Sequence, residues 1–204
     1  MKRIFIILIF VSLLLILTSC DSTEPTPPVN TIRVATLTTE QQEVLDLFSI
    51  PNNQELMIFD FNTDESYSRV EVWVEVYESG ELVDRPAGLV SIIDSGRTLN
   101  GQLAIIINQN DNVYQWTLSM VENGGRASHV GTAGAAVSSG LGRAFGPMNY
   151  QASIEDGKEI IIYSSTFQAT GIPHHAYDAQ TLQERPELFL EYPYAHLIKV
   201  IFTK

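Results

Sequence analysis

The densest run of oxygen-bearing side chains in the sequence lies between two strand-like segments. Asp60, Asn62, Asp64 and Glu71 are spaced like positions one, three, five and twelve of a calcium-binding loop. The glycine that such loops need at position six is replaced by Glu65, and the flanking segments alternate like strands rather than helices. The pattern therefore favours an acidic turn between two strands, with Asp60, Asn62 and Asp64 as weak calcium candidates.

The histidines and potential nucleophiles indicate no recognisable catalytic chemistry. His174 and His175 are adjacent, and adjacent side chains of an extended strand point to opposite sides, so an ordinary loop pair is favoured over a metal site. No Gly-x-Ser-x-Gly elbow is present, and residues 140–146 match a phosphate loop only loosely. The sequence therefore predicts no cofactor and no catalytic residue, although an enzyme without a familiar motif stays open.

One strand carries the best candidates for ligand binding. Over residues 68–79, four valines alternate with a second set of side chains: Glu71, Trp73, Glu75 and Tyr77. If the valines fill the core, these four lie on the outer face, where aromatic rings beside carboxylates suit a glycan or a protein partner. The alternative is that a loop covers this face, because large aromatic side chains are usually buried.

Period-two patterns dominate the rest of the chain after residue 31. Further strands are predicted at residues 32–37, 56–61, 89–93, 103–107, 112–121, 159–163 and 195–202. A capping box of Thr38 and Gln41 predicts one short helix, and a second is expected to begin at Asp178 and to end before Pro186. This content predicts an all-β, mostly antiparallel domain over residues 31–204, either a β-sandwich or a partly closed barrel.

The segment from Gly124 to Gly146 departs from this pattern because it contains seven of the thirteen glycines. It is too long for a hairpin and rich in small residues, so we expect a long loop. Such loops are often functional, and this one is a candidate ligand-contacting segment. A plain surface excursion is the equally weighted alternative.

Composition excludes several classes of protein. The chain has 12 basic and 24 acidic residues, a formal charge of −12, and no basic run, which excludes the electrostatic footprint of nucleic-acid binding. Its single cysteine excludes a disulfide framework. With 45% hydrophobic and 18% charged residues, the chain has the composition of a globular protein and not of a disordered one.

The N-terminus indicates where the protein is located. Lys2 and Arg3 precede an apolar run at residues 4–17, which is the length of a signal-peptide core and shorter than a membrane span. The sequence Leu17-Thr18-Ser19-Cys20 follows, and it resembles the lipobox of bacterial lipoprotein precursors. That resemblance covers residues 1–20 and implies cleavage before Cys20, a diacylglyceryl thioether on its sulfur, and acylation with fatty acids such as palmitate.

Residues 20–30 would then form the lipidated cysteine and a tether. Three prolines and two acids in residues 21–30 favour an extended, unpacked chain. Removing residues 1–19, which contain two basic residues and no acid, would change the formal charge from −12 to −14. A domain of that charge is repelled by an anionic membrane surface.

These observations predict a lipid-anchored protein on the cell membrane or outer membrane, with its domain outside the cytoplasm. The expected role is non-catalytic binding of an envelope protein or a glycan, with no nucleic-acid partner. An envelope hydrolase or metal-dependent enzyme, and a structural lipoprotein without a small ligand, are the alternatives.

Overall fold

A computed structural model describes residues 28–47, 54–64, 66–92, 98–110, 113–122, 125–133, 141–169 and 177–204. Sheet 1 has the strand order β10-β1-β2-β6-β7-β8. Its strands are β1 (Thr31–Val34), β2 (Gln54–Thr63), β6 (Leu99–Asn110), β7 (Val113–Glu122), β8 (Gly125–Ala133) and β10 (Ala152–Ser153). Every pairing in this sheet is antiparallel.

Sheet 2 has the order β4-β3-β12-β11-β9, and β5 also pairs with β3. Its strands are β3 (Arg69–Glu78), β4 (Glu81–Asp84), β5 (Gly88–Ile92), β9 (Leu141–Pro147), β11 (Ile160–Ala169) and β12 (Tyr194–Thr203). All its pairings are antiparallel as well. The two sheets form a β-sandwich, which confirms the predicted fold class and selects the sandwich over the barrel.

The core lies between the two sheets and follows the alternation in the sequence. Val70, Val72, Val74 and Val76 of β3 are at most 1% exposed, as predicted. Opposite them, sheet 1 contributes inward-facing aromatic and aliphatic side chains, including Phe59, Phe61, Leu103, Ile105, Trp116 and Leu118. Each buried side chain of this size stabilises the fold by about 1.5–3 kcal/mol.

Both predicted helices are present and both are short. Helix α1 (Thr39–Leu47) begins with the expected capping box, in which Gln41 N–H donates to Thr38 Oγ1 at 3.2 Å and Thr38 N–H donates to Gln41 Oε1 at 2.9 Å. None of its nine residues is buried. Helix α2 (Ala179–Glu184) is capped by Asp178, and a 3₁₀ helix (Pro186–Glu191) follows it.

The predicted long loop at residues 124–146 is wrong for most of its length. Residues 125–133 form strand β8 and residues 141–147 form strand β9. A small residue is required at position 131 of β8 because a neighbouring segment passes very close to it. A Cβ atom at Gly131 would lie 2.0 Å from the carbonyl oxygen of Pro86 and 2.7 Å from the Cβ of Ala87.

Several predictions lie outside the described residues. These are the signal peptide, Cys20, the tether up to residue 27, the pair His174 and His175, and residues 134–140 of the glycine-rich segment. Within the ranges that the structure describes, no helix is long and apolar enough to cross a membrane.

Candidate functional site

The predicted binding face of β3 is a closed polar cluster. Trp73 does lie on the outer face of sheet 2, but only 8% of it is exposed, which agrees with the alternative that a loop covers this face. The ring is covered because the segment between β4 and β5 folds back over it, with the guanidinium of Arg85 5.9 Å from the ring centroid. The flat aromatic surface that a sugar ring would need is therefore occupied by the protein itself.

Glu75 is the centre of this cluster, and it is 1% exposed. Trp73 Nε1 donates to its Oε1 at 2.8 Å and Tyr77 Oη donates to its Oε2 at 2.6 Å. Arg85 and Lys199 form ion pairs with the same carboxylate at 2.7 Å and 2.8 Å. Four donors thus satisfy the two oxygen atoms, and we call these five residues the Glu75 cluster.

The donors determine the protonation of Glu75. Burial by itself raises its pKa, but the hydrogen bonds from Lys199, Tyr77 and Trp73 outweigh burial and lower the pKa to about 2. Burial and the bond to Glu75 raise the pKa of Tyr77 to about 12. Near neutral pH the carboxylate of Glu75 is ionised and the phenol of Tyr77 is protonated, so the arrangement is suited to holding β3 and β12 together.

The remaining predicted residues do not join this cluster. Glu71 pairs with Arg69 at 2.7 Å near the end of β3. Asp60 and Asn62 lie within β2, where the extended backbone separates residues 60 and 64 by roughly 13 Å, too far for a compact calcium loop. Asp64 instead binds Ser66 and Asn30, whose hydrogen bonds lower its pKa to about 2. In the described part of the chain, no three acidic, histidine or cysteine side chains are grouped closely enough to hold a metal ion.

A different site lies at the lateral opening of the sandwich. Strand β9 ends sheet 2, and β1 pairs with β2 only from residue 59 to residue 62, so the first half of β2 also has an uncovered edge among the described residues. Between these two edges lies a cleft of about 610 Å³, which we call the edge cleft. It is lined mainly by apolar side chains from β1, β2, α1 and β9: Val34, Ala35, Leu37, Leu45, Leu56, Met57, Ile58 and Pro147, together with Gln42 and Asp46.

One side chain bridges the two sheets beside the cleft. Arg143 of β9 forms an ion pair with Glu55 of β2 at 2.5 Å, and donates to Tyr163 Oη at 2.5 Å and to Ser165 Oγ at 2.7 Å. Tyr163 in turn donates to the second oxygen of Glu55 at 2.8 Å. Burial raises the pKa of Tyr163 well above its usual value, which keeps the phenol protonated as a donor.

Phe145 lies on β9 two residues before Pro147, the residue of that strand that lines the cleft. It shares the inward face of β9 with Arg143 and Pro147, because these three pair with Tyr163, Ser165 and Phe167 of β11, the first two of which are in register, through β12, with core valines of β3. Nevertheless 55% of its surface is exposed, and the guanidinium of Arg143 lies 4.3 Å from its ring centroid. An aromatic side chain on the inward face of an edge strand is normally covered by the opposite sheet, so its exposure marks the place where the sandwich is open.

Behind Arg143 lies an aromatic pocket around a histidine. The ring of His196 is 1% exposed and lies 4.8–5.2 Å, between centroids, from the rings of Tyr114, Trp116 and Phe167. Its Nε2 atom is buried without a hydrogen-bond partner in the described structure. Burial, together with the charge of Arg143, lowers the pKa of His196 to about 3, so the imidazole is neutral at physiological pH.

The sequence contains only weak signals for this second site. Glu55 and Arg143 are 88 residues apart, and Arg143 lies in the segment from Gly124 to Gly146 that is predicted to be a loop. One usable signal is that Glu55 occupies an inward position of β2, in phase with Met57 and Phe59. A carboxylate at such a position indicates a cationic partner from the opposite layer.

The chain thus folds as a two-sheet β-sandwich in which one lateral edge is not covered by any described strand. The family model described as the YgaN domain matches residues 31–200, and the chain therefore belongs to that family. A search of curated proteins and a search of solved structures each found no match.

Proposed function

We propose that this protein is a lipid-anchored envelope protein whose domain binds a partner protein without catalysing a reaction, and that the partner docks at the edge cleft. The observation behind the proposal is the exposure of Phe145 beside an apolar cleft of about 610 Å³. Exposed aromatic side chains next to apolar depressions are the usual anchors of protein–protein contacts.

The polar groups near the cleft favour binding over chemistry. The carboxylate of Glu55, the guanidinium of Arg143 and the phenol of Tyr163 bind one another. Each of these groups therefore takes part in the contact between the sheets. A ligand in the cleft would contact mainly its apolar surface. Shape and apolar contact would then supply most of the affinity.

A protein partner suits these observations better than a glycan does. The glycan hypothesis depended on an open Trp73 face, and the Glu75 cluster covers that ring. Phe145 can serve either kind of ligand, but a single ring at a deep apolar cleft resembles a pocket for side chains more than a flat sugar-stacking surface.

The anchor in this proposal is the lipobox-like sequence ending at Cys20. The proline-containing segment after it would separate the domain from the bilayer, and a mature charge of −14 would keep the domain away from anionic headgroups. The edge cleft would then be accessible to other envelope proteins.

Site-specific photocrosslinking tests the proposed docking site. A photoreactive phenylalanine analogue replaces Phe145 in the full chain, which is expressed in the cells that make this protein. The control places the same analogue at Ile92, which is 80% exposed and lies at the opposite edge of sheet 2. We expect a discrete crosslinked protein at position 145 that is absent at position 92. Equal crosslinking at the two positions, or none at position 145, would contradict the proposal.

A further inference from the structure

We infer that the occupant of the edge cleft is an extended, cationic segment of the partner, which adds as a new strand to the edge of β9 that no described strand covers. This inference rests on the proposed function, because it names the kind of partner segment that the same site would take. Strand addition to an exposed sheet edge is a common mode of peptide recognition, in which backbone hydrogen bonds give affinity and side-chain pockets give specificity.

The hydrogen-bond phase of β9 shows which backbone groups are available. Met148 N–H donates to Ile162 O at 2.8 Å, and the pairing continues in register through Ser164↔Gly146 and Thr166↔Ala144. In an antiparallel ladder, alternate residues direct both of their backbone groups to the same neighbour. Gly146 and Ala144 therefore face β11, whereas Arg143 and Phe145 direct their N–H and C=O groups away from the sheet.

The proline at the end of β9 agrees with this phase. Pro147 has no N–H group, and its position in the alternation places the missing donor on the outward side, where sheet edges tolerate proline. Pro147 also limits the region available for pairing, because strand addition beyond it would lack a donor. The inferred segment is consequently short and lies opposite residues 141–145.

The first half of β2 forms the other wall. Ala35 N–H donates to Ile58 O at 2.8 Å, so the same alternation directs the backbone groups of Leu56 and Gln54 toward the uncovered side. A segment paired with β9 would place its inward side chains against Met57, which lies on the inward face of β2, and against the ring of Phe145. These residues favour apolar side chains at every second position of the segment.

Charge favours a basic segment. Helix α1, which borders the cleft, has three carboxylates (Glu40, Glu43 and Asp46) and no basic residue. The positive charge of Arg143 is paired with Glu55 and is not available to attract an acidic ligand. On a chain of formal charge −12, the cleft is therefore complementary to lysine or arginine side chains that reach α1.

Peptide selection followed by backbone methylation tests the inference. The full chain, purified in detergent, is used to select binders from a phage-displayed library of random linear peptides after the library has been depleted on detergent alone, and each enriched peptide is then tested against the Phe145→Ala chain. We expect enriched peptides in which apolar residues alternate with other residues and which contain lysine or arginine. N-methylation of alternate residues in one phase should weaken binding roughly tenfold or more, and N-methylation in the other phase should not.

A matched pair of protein variants tests the same inferred backbone hydrogen bonds by altering β9 instead of the peptide. Phe145→Ala and Phe145→Pro both remove the ring, but only the proline removes the outward N–H. Thermal unfolding first establishes that both variants fold. We then expect the proline variant to bind a selected peptide roughly tenfold more weakly than the alanine variant does.

The possible failures are distinguishable. Peptides whose binding depends on Phe145 but not on the phase of N-methylation would overturn strand addition and leave the proposed docking site intact. Enriched peptides without basic residues would overturn the cationic assignment. If no peptide is enriched, the inference is overturned, and crosslinking at position 145 then decides the proposed function separately.

Discussion

Arg143 on β9 and Glu55 on β2 join the free edges of the two sheets through an ion pair of 2.5 Å, with 14% and 20% of their side chains exposed. The same guanidinium contacts the face of Phe145, so the residue that closes the sandwich also positions the exposed ring. The β9 side of the edge cleft is therefore joined to β2 by an ion pair.

Removing either partner of this pair should destabilise the domain. We expect Arg143→Met and Glu55→Gln each to lower the free energy of unfolding by about 1–3 kcal/mol, because each leaves the other group half-buried without its partner. The double variant should lose less than the sum of the two. Urea denaturation measures all three free energies, and additive losses would show that the pair does not couple the sheets. Arg185→Met is the control, since its pair with Glu187 is about 60% exposed and its loss should leave the free energy of unfolding nearly unchanged.

The Glu75 cluster should make the fold sensitive to strong acid. The pKa of Glu75 is lowered from 4.5 to about 2, so its contribution to stability is complete above pH 4.5 and is lost as the pH falls toward 2. We expect Glu75→Gln to be less stable than the wild type at pH 7 and to lose less stability between pH 4.5 and pH 2. Glu71→Gln, on the same face of the same strand but in an exposed pair, should keep the wild-type profile. If the free energy of unfolding changed with pH in the same way for Glu75→Gln and the wild type, Glu75 would not be the source of this acid sensitivity.

His196 should produce a second, separate pH dependence. Its pKa falls from 6.5 to about 3 in the folded state, so the unfolded chain binds a proton first and stability decreases as the pH drops below 6.5. His196→Leu keeps a similar volume in the aromatic pocket and should remove the part of this loss that lies between pH 6.5 and pH 4.5. Chemical denaturation of both proteins at pH 7 and pH 5 measures this loss of stability. His129→Gln, a change at an exposed histidine, should leave the difference between the two pH values unchanged.

Lipidation is testable at a single atom. Cells expressing the full chain should incorporate radiolabelled palmitate into this protein and retain it in the membrane fraction, and Cys20→Ser should lose both properties. Ser22→Ala, a small change two residues further on, should keep both. Because Cys20 is the only cysteine, label that persists in Cys20→Ser would show that the anchor is placed elsewhere or is not a thioether-linked lipid.

The strands that the sequence predicted are those whose alternation is set by the core. β3 and β7 alternate cleanly because one face of each packs against the opposite sheet, and a one-residue shift would bury the wrong set. β8 and β9 lack this signal. In β8, glycine is required at position 131 by its close contact with Pro86, and a single sequence contains no record of that proximity.

Only part of the candidate site could be predicted from the sequence, and the reason is related. The alternation placed Trp73, Glu75 and Tyr77 on the outer face correctly, but the arrival of Arg85 and Lys199 over that face depends on the path of a loop and on strand pairing. The edge cleft exists because of the positions at which strands end, and not because of the residue types within those strands. That β1 ends at Val34 and leaves Leu56 uncovered follows from pairing register, which composition and periodicity do not specify.

Two glycines in the same segment give a direct test of the close contact at β8. Gly131→Ala places a methyl group 2.0 Å from the carbonyl oxygen of Pro86, and because that neighbour is backbone, one of the two segments must move. We expect a loss of about 1–3 kcal/mol in the free energy of unfolding, as in other overpacked interiors. Gly146→Ala, on β9, meets no atom within 4 Å and should change the free energy by less than about 0.5 kcal/mol. Equal effects would mean that the glycines of residues 125–146 reflect backbone flexibility in general. A loss confined to Gly131→Ala would show that this position is small because the segment before β5 packs against β8.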